Sequence, residues 1–242
     1  SVRNQTYPQW ELCVVDDDKG VYVVKSDGKA ERLIKDRNDC EGLCVDDHGK
    51  YLWTVEETKR RVTRYDIERD GDGNITLDDA SRVERKLPKL KDVENKGWEG
   101  ITFLSKEVAG TKADQLVCVH EGNPRRIGFY SLPDLDDGIE VRLPKRAKEL
   151  LPDLADIAVD PKTGHLLVVS DEAHTVVELA IKKETTKAPN ALLPRIELAV
   201  VSSFEIPIKR SAKTEGLCFD EQARLWITCD GTGDALVLEL DR

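Results

Sequence analysis

The chain has 242 residues, of which 35% are charged and 39% hydrophobic, and its net charge is −10 at pH 7. Such a chain can bury a large core, and no apolar run reaches the roughly 18 residues that a membrane-spanning helix needs. The acidic balance argues against nucleic acid as a partner, because phosphate binding needs clustered Lys and Arg. It fits cations or cationic partners, and it equally fits ordinary solubility charge. Six cysteines lie mostly within apolar runs, without the spacing of a zinc site.

An acidic motif recurs along the chain at intervals of roughly 60 residues. It opens an apolar strand-like run at four positions: Glu41, Glu99, Asp156 and Glu215. After a short turn, each copy continues into a second apolar run that ends in another acid: Glu57, Glu121, Glu172 and Asp230. A truncated copy begins near residue 10. Repeated strand pairs of this kind predict a β-propeller, in which each unit forms one blade.

Within the units, short strands alternate with turn sequences, and long helical periodicity is absent. The second unit predicts strands at residues 41–46, 51–56, 61–67 and 83–87. The fourth unit predicts strands at residues 155–159, 165–170, 175–180 and 196–204. The sequence therefore predicts one all-β domain over residues 1–242, a propeller of about five blades that start near residues 10, 41, 99, 156 and 215.

The first unit lacks its opening strand and the last unit lacks its outer strand. A ring of blades has to close, because unpaired strand edges would otherwise be exposed. Residues 1–8 are expected to close it, either by pairing with the strand predicted at 235–240 or by completing the first unit. The sequence leaves both arrangements open.

The four opening acids are expected on the innermost strands, near the propeller axis. Like charges held close together raise one another's pKa unless a cation neutralises them. Three roles are open: accepting hydrogen bonds from backbone amides of a neighbouring blade, holding calcium, or acid–base catalysis. The second set of acids is expected at one mouth of the axial channel, where His120 stands beside Glu121.

A separate segment, residues 68–79, has the spacing of an EF-hand calcium loop, with Gly73 at the sixth position. Compared with the usual pattern, Glu68 replaces Asp at the first position and Asp79 replaces Glu at the twelfth. No amphipathic helices flank the segment. Asp, Gly and Asn also form ordinary turns. The pattern predicts a calcium site in a hairpin insertion, with these ligands: Glu68, Asp70, Asp72, Asn74 and Asp79.

The order and spacing of several segments resemble the SdiA-regulated family of β-propellers and, more loosely, the phytase-like propellers. The matching segments are residues 97–101, 121–124, 153–157, 164–172 and 214–217. This chain has Asp156 where that family often has Ser. The resemblance implies a propeller fold and a cell-envelope or secreted location, but it implies no reaction.

These observations predict a monomeric, calcium-binding propeller that acts as a binding module for a small molecule or a protein. The alternative is a calcium-dependent hydrolase of phosphoesters or lactones, with its site at the axis. The sequence contains neither a Gly-x-Ser-x-Gly motif nor a glycine-rich phosphate loop. Whether the protein is an enzyme is left open by the sequence.

Overall fold

A computed structural model describes residues 11–16, 19–35, 39–88, 97–136, 138–184, 195–209, 212–230 and 234–240. Within these ranges the chain forms five antiparallel sheets and two short helices. Residues 1–8, which were expected to close the ring, lie outside the described residues. Neither helix of the described part has the length or the hydropathy to cross a membrane.

Each sheet is one blade, and its strands follow one another in chain order. The first blade contains β1 (Glu11–Asp16), β2 (Gly20–Lys25) and β3 (Ala30–Ile34). The second contains β4 (Cys40–Val45), β5 (Tyr51–Glu56), β6 (Arg61–Arg69) and β7 (Ile75–Lys86). The third contains β8 (Trp98–Leu104), β9 (Gln115–His120), β10 (Arg126–Ser131) and β11 (Gly138–Arg142), with helix α1 (Lys106–Ala109) between β8 and β9.

Helix α2 (Lys145–Leu150) leads to the fourth blade, which contains β12 (Asp156–Val159), β13 (Leu166–Ser170), β14 (Thr175–Glu184) and β15 (Arg195–Glu205). The fifth blade contains β16 (Lys213–Phe219), β17 (Leu225–Asp230) and β18 (Asp234–Leu238). The prediction of an all-β propeller with about five blades is confirmed. Among the described residues, the first and last blades have three strands each and the middle three have four.

Apolar clusters hold consecutive blades together. Val21 of the first blade packs with Leu52 of the second, and Trp53 of the second packs with Trp98 of the third. Two further clusters join the third blade to the fourth and the fourth to the fifth. In strands buried on both faces, alternate side chains serve the two neighbouring blades, which explains the nearly continuous apolar runs of the sequence.

The innermost strands lie so close together that glycine is required where they meet. A Cβ atom on Gly42 would lie 2.6 Å from the carbonyl oxygen of Glu99. A Cβ atom on Gly100 would lie 2.6 Å from the Cα atom of Asp156. Both distances are shorter than real Cβ contacts. The glycines that follow the opening acids therefore set the spacing of the second, third and fourth blades around the axis.

We expect Gly100→Ala to lower the free energy of unfolding by about 1–3 kcal/mol, since the added methyl group overpacks the contact between two inner strands. Gly71→Ala is a matched control, because a Cβ atom there meets nothing within 4 Å. That control should change stability by less than about 0.5 kcal/mol. Denaturant unfolding of the two variants checks the expectation, and equal losses would contradict it.

Candidate functional site

Backbone irregularities occur at three of the four opening acids, near the starts of the inner strands, whereas Asp156 begins a regular ladder. In the pairing of β4 with β5, Glu41 is an extra residue between Cys40 and Gly42. In the pairing of β16 with β17, Glu215 is likewise an extra residue, between Thr214 and Gly216. The β8–β9 ladder shifts register after Trp98, at Glu99. Such β-bulges reorient side chains and are common beside functional sites. At Glu41 and Glu99 the Glu-Gly motif of the sequence is thus an irregularity followed by a close inter-blade contact of the glycine.

The four opening acids line one central cavity of about 610 Å³. All five blades contribute to its wall: β1 supplies residues 12–16, and the other blades contribute mainly through their inner strands. The charged side chains of the wall are Asp16, Lys19, Glu41, Glu99, Asp156, Lys213 and Glu215. The four acids predicted from the repeat therefore all line the same cavity. Asp16, Lys19 and Lys213 also line it but do not belong to the repeated motif.

Three carboxyl groups cluster at Glu41, one of the acids of the cavity wall. Asp39, Glu41 and Glu57 each offer an oxygen, and these oxygens lie within 4.8 Å of one another. All three side chains are half-buried. The Glu57 amide also donates to the Asp39 carbonyl at 3.1 Å, so the segment before β4 is joined to the segment after β5. Oxygens on opposite sides of one calcium ion are about 5 Å apart, which fits this spacing.

Asp39 is missing from the residues singled out in the sequence. It precedes the repeated motif and has no equivalent acid in the other units. Its backbone adopts a left-handed conformation with φ of 59°, which turns the chain just before the bulge. Its spacing of two residues from Glu41 could not have identified it, because alternate residues share a face only in a regular strand, whereas here a left-handed residue is followed by a bulge.

Glu99 lies half-buried in the same acidic environment. Burial raises its pKa to about 8, and the charges of neighbouring acids add to the shift, in decreasing order Glu41, Glu57, Glu121 and Glu215. A carboxyl group in this state is protonated near neutral pH in the absence of a cation. The acids of both predicted sets therefore interact electrostatically across the axis.

Asp156 is 8% exposed and connects the fourth blade to the fifth. Its Oδ2 atom accepts a hydrogen bond of 2.7 Å from the Leu217 amide. Its Oδ1 atom makes no hydrogen bond within the described part of the chain. Burial raises the pKa of Asp156 to about 8, despite backbone amides, that of Leu217 foremost, that favour the charged form. Oδ1 is buried against Gly100 of the third blade, so backbone of the third, fourth and fifth blades encloses this carboxyl group.

The second set of acids divides into different roles. Glu57 Oε1 accepts from the Gly97 amide of the next blade at 3.1 Å, and the Glu121 amide donates to the Gly97 carbonyl at 3.3 Å. In the fourth blade, Asp171 occupies the position after the strand end and accepts from the Thr214 amide at 2.8 Å. Glu172 is exposed, and its amide donates to Asp153. The side chain of Asp230 lies outside the described residues.

The EF-hand-like segment forms the tip of the long β6–β7 hairpin. Glu68 lies opposite Thr76 in the ladder, and Asp79 belongs to β7, whereas the sequence predicted a loop before a strand at residue 83. The strand starts early because Ile67 and Leu77 pair across the ladder and pack against the core between the first two blades. Two of the five predicted ligands, Glu68 and Asp79, therefore lie in strands.

Asp70 organises the turn at the hairpin tip. Its Oδ1 atom accepts from the amides of Asp72 and Asn74, both at 2.9 Å. Asn74 Oδ1 accepts from Lys25 Nζ of the first blade at 3.0 Å. These oxygens already have partners, so calcium would have to compete with them. Calcium binding at the tip stays a prediction.

The sequence profile of the SdiA-regulated family matches residues 9–230. The chain belongs to the SdiA-regulated family. This match includes all four opening acids and all the acids of the second set. The resemblance inferred from the segments around Glu99, Asp156 and Glu215 is therefore confirmed.

Solved structures share the fold of this SdiA-regulated propeller. XC5397 of Xanthomonas campestris, a gluconolactonase, is 14% identical, and the match covers 94% of this chain and 71% of that chain with a TM-score of 0.52. The calcium structure of a Trichoderma reesei enzyme of carbohydrate-active family AA12 is 13% identical. That match covers 95% of this chain and 90% of that chain, with a TM-score of 0.53. At these identities the similarity shows the fold alone.

We expect the SdiA-regulated propeller to lose stability with rising pH when cations are removed by chelation. Glu99 and Asp156 have ordinary pKa values of 4.5 and 3.8 but titrate at about 8 in the folded chain. Between those values the native state binds more protons than the unfolded state, so the free energy of unfolding falls as pH rises. Above about pH 8 this contribution should level off.

Urea unfolding between about pH 5 and pH 9 checks this dependence. Glu99→Gln should flatten the pH profile, because the amide cannot ionise, whereas the exposed Glu107→Gln should leave it unchanged. A parent protein whose stability rises steadily across this interval would contradict the assignment.

Proposed function

We propose that the protein is a calcium-binding propeller that takes up a small molecule in its central cavity. The observation that carries this proposal is the convergence of Asp39, Glu41 and Glu57, whose oxygens lie within 4.8 Å of one another, with Glu41 also lining the cavity. Ligands made only of oxygen suit calcium, which also tolerates irregular geometry. The gluconolactonase and AA12 structures show that this type of fold occurs in enzymes acting on carbohydrates and in a calcium-containing structure.

Charge neutralisation supports the same conclusion. Burial and four neighbouring carboxyl groups raise the pKa of Glu99, so the site favours bound protons or another cation. A divalent ion would remove this repulsion and allow the acids to stay ionised at neutral pH. Asp39, Glu41 and Glu57 would hold the ion, with Glu99 beside them.

Calcium should raise the melting temperature, because an ion bound only to the native state stabilises it by mass action. We expect Glu41→Gln to lose most of this shift, since the amide keeps the size of the side chain but removes the charge that attracts the ion. Asp72→Ala, at the hairpin tip, should keep the shift. Thermal unfolding in calcium and in chelator measures the difference within each variant.

Two results would contradict the axial site. If calcium does not shift the melting temperature of the parent protein, the proposed function is wrong. Retention of the shift by Glu41→Gln, together with its loss in Asp72→Ala, would instead assign calcium to the hairpin tip.

A second candidate function is calcium-dependent hydrolysis of a lactone or phosphoester. The observation that favours it is Glu99, which lines the cavity close to the carboxylate cluster and has a pKa of about 8. A carboxyl group that exchanges its proton near neutral pH is suited to general acid–base catalysis. A bound calcium ion would polarise the carbonyl or phosphoryl oxygen of the substrate.

The hydrolase candidate predicts that the protein opens D-glucono-1,5-lactone at a calcium-dependent rate above that of the buffer. Glu99→Gln should then lower kcat by about 10²–10⁴-fold, because the amide cannot transfer a proton. Calcium binding should persist in this variant, as checked by its thermal shift. Calcium binding without hydrolysis in the parent would leave the protein a binding module.

A further inference from the structure

We propose that the open edge of β1 binds an extended peptide segment of a partner protein, with a basic residue at the amino-terminal end of that segment. The segment would add to the first blade as its inner strand. This inference goes beyond the proposed function, because it concerns a strand edge on one side of the cavity and does not require calcium. It rests on the direction of β1, on its unpaired edge and on the charges beside that edge.

The direction of β1 shows which position it occupies in the first blade. Glu11, its first residue, lines a second cavity together with Phe219, the last residue of β16. Asp16, its last residue, lines the central cavity together with Lys213, the first residue of β16. β1 therefore runs opposite to the inner strand of the fifth blade, as the second strand β17 does. Within the described residues, the first blade thus has its second, third and fourth strands but no inner strand.

The edge of β1 that an inner strand would cover is open. The second strands of the other blades, β5, β9, β13 and β17, each pair on both sides, whereas β1 pairs with β2 alone in the described part of the chain. Alternate residues of an antiparallel strand direct their N–H and C=O groups to opposite sides. Half of the six residues of β1 therefore direct these groups away from β2. An unpaired edge of this kind is a template for an added strand.

The central cavity provides the space beside this edge. Residues 12–16 of β1 all line it, whereas a strand that met the cavity with one face would contribute only alternate residues. Residues 40–43 of β4 and 215–218 of β16 line it as well. We call the space between these three strands the slot. A segment that pairs along residues 12–16 needs about five residues and spans roughly 17 Å.

The charges of the slot select the segment. Glu41 and Glu215 lie near the starts of β4 and β16, at the end of the slot where β1 finishes with Asp16. Among the described residues of the wall, Lys19 pairs with Asp16 at 2.8 Å, which leaves Lys213 as the second lysine beside two glutamates. A further basic side chain would balance this charge.

The direction of the added strand places that basic residue. An inner strand runs antiparallel to the second strand of its blade, as β16 does to β17. The amino-terminal end of the segment therefore lies beside the end of β1, where Glu41 and Glu215 are found. The remaining wall is aliphatic at Leu12, Val14 and Leu43, so β-branched residues suit the rest of the segment.

A short peptide tests the proposal on the full chain. The probe is an acetylated and amidated hexapeptide of sequence Lys-Val-Thr-Val-Thr-Val, titrated calorimetrically in chelator. Because no calcium is present, this test is independent of the proposed calcium site. The peptide should bind, and the same peptide with Glu in place of Lys should bind at least about tenfold more weakly. Moving the Lys to the carboxyl-terminal end should also weaken binding.

Backbone methylation tests whether the peptide pairs as a strand. Two further peptides carry N-methyl groups on either the second and fourth or the third and fifth residues. One of these two sets faces β1, so at least one methylated peptide should fail to bind. Amide hydrogen exchange should report the same pairing from the protein, because alternate amides of residues 11–16 gain protection when the unmodified peptide binds.

Paired charge variants locate the electrostatic contribution. Glu215→Gln removes an exposed acid of the slot, whereas Glu107→Gln removes an exposed acid on helix α1 of the third blade. Both change the net charge equally. Glu215→Gln should weaken the binding of the Lys peptide severalfold and reduce its advantage over the Glu peptide. Glu107→Gln should change neither.

Five results would overturn the proposal. The first three are no binding of the Lys peptide at about 1 mM, equal binding of the Glu peptide, and undiminished binding of both methylated peptides. The fourth is the absence of new protection in β1. The fifth is binding that requires deletion of residues 1–8, which would assign the edge to the chain itself instead of a partner.

Discussion

The close approach of the inner strands is the constraint on which the remaining structure depends. Gly42 and Gly100 bring the backbones of three blades almost into contact. Because the residue before each glycine lies in a bulge or a register shift, its side chain leaves the ladder and enters the axial space. Tight packing and the convergence of acids are therefore two results of one local motif. A looser ring would separate the carboxyl groups and remove the electrostatic interactions among them.

Convergence of acids is unfavourable by itself, and the fold offsets it in two ways. Some carboxylates accept hydrogen bonds from amides of the next blade, as Glu57 does from Gly97 and Asp171 from Thr214. Others lie beside the cavity, where burial raises the pKa of Glu99 and Asp156. The same set of acids can thus join neighbouring blades and also provide oxygens for the proposed cation. Glu57 combines both, since it accepts from an amide and belongs to the three-carboxylate cluster.

The repeat made much of this arrangement predictable from the sequence. The recurring motif marks the start of each inner strand and the position of the acid within it. Glu41, Glu99, Asp156 and Glu215 could therefore be identified from the sequence alone. Asp39 could not be identified in this way, because it lies in a left-handed turn and has no counterpart in the other blades. In the fourth blade, two adjacent acids, Asp171 and Glu172, follow the apolar run, and the sequence does not show which of them contacts the next blade. The structure shows that it is Asp171, the first residue after β13 ends.

At the hairpin tip, the EF-hand spacing of the sequence does not produce an EF-hand loop. The EF-hand pattern counts oxygens along the chain, but Ile67 and Leu77 are buried when β6 and β7 pair, and that pairing takes Glu68 and Asp79 away from the turn. At the axis the opposite holds, because residues remote in sequence are brought together by packing that is independent of calcium. A cation that binds there meets a preformed group of carboxylates. A cation at the tip has to displace the hydrogen bonds of Asp70 and Asn74, which favours the axis as the site of function.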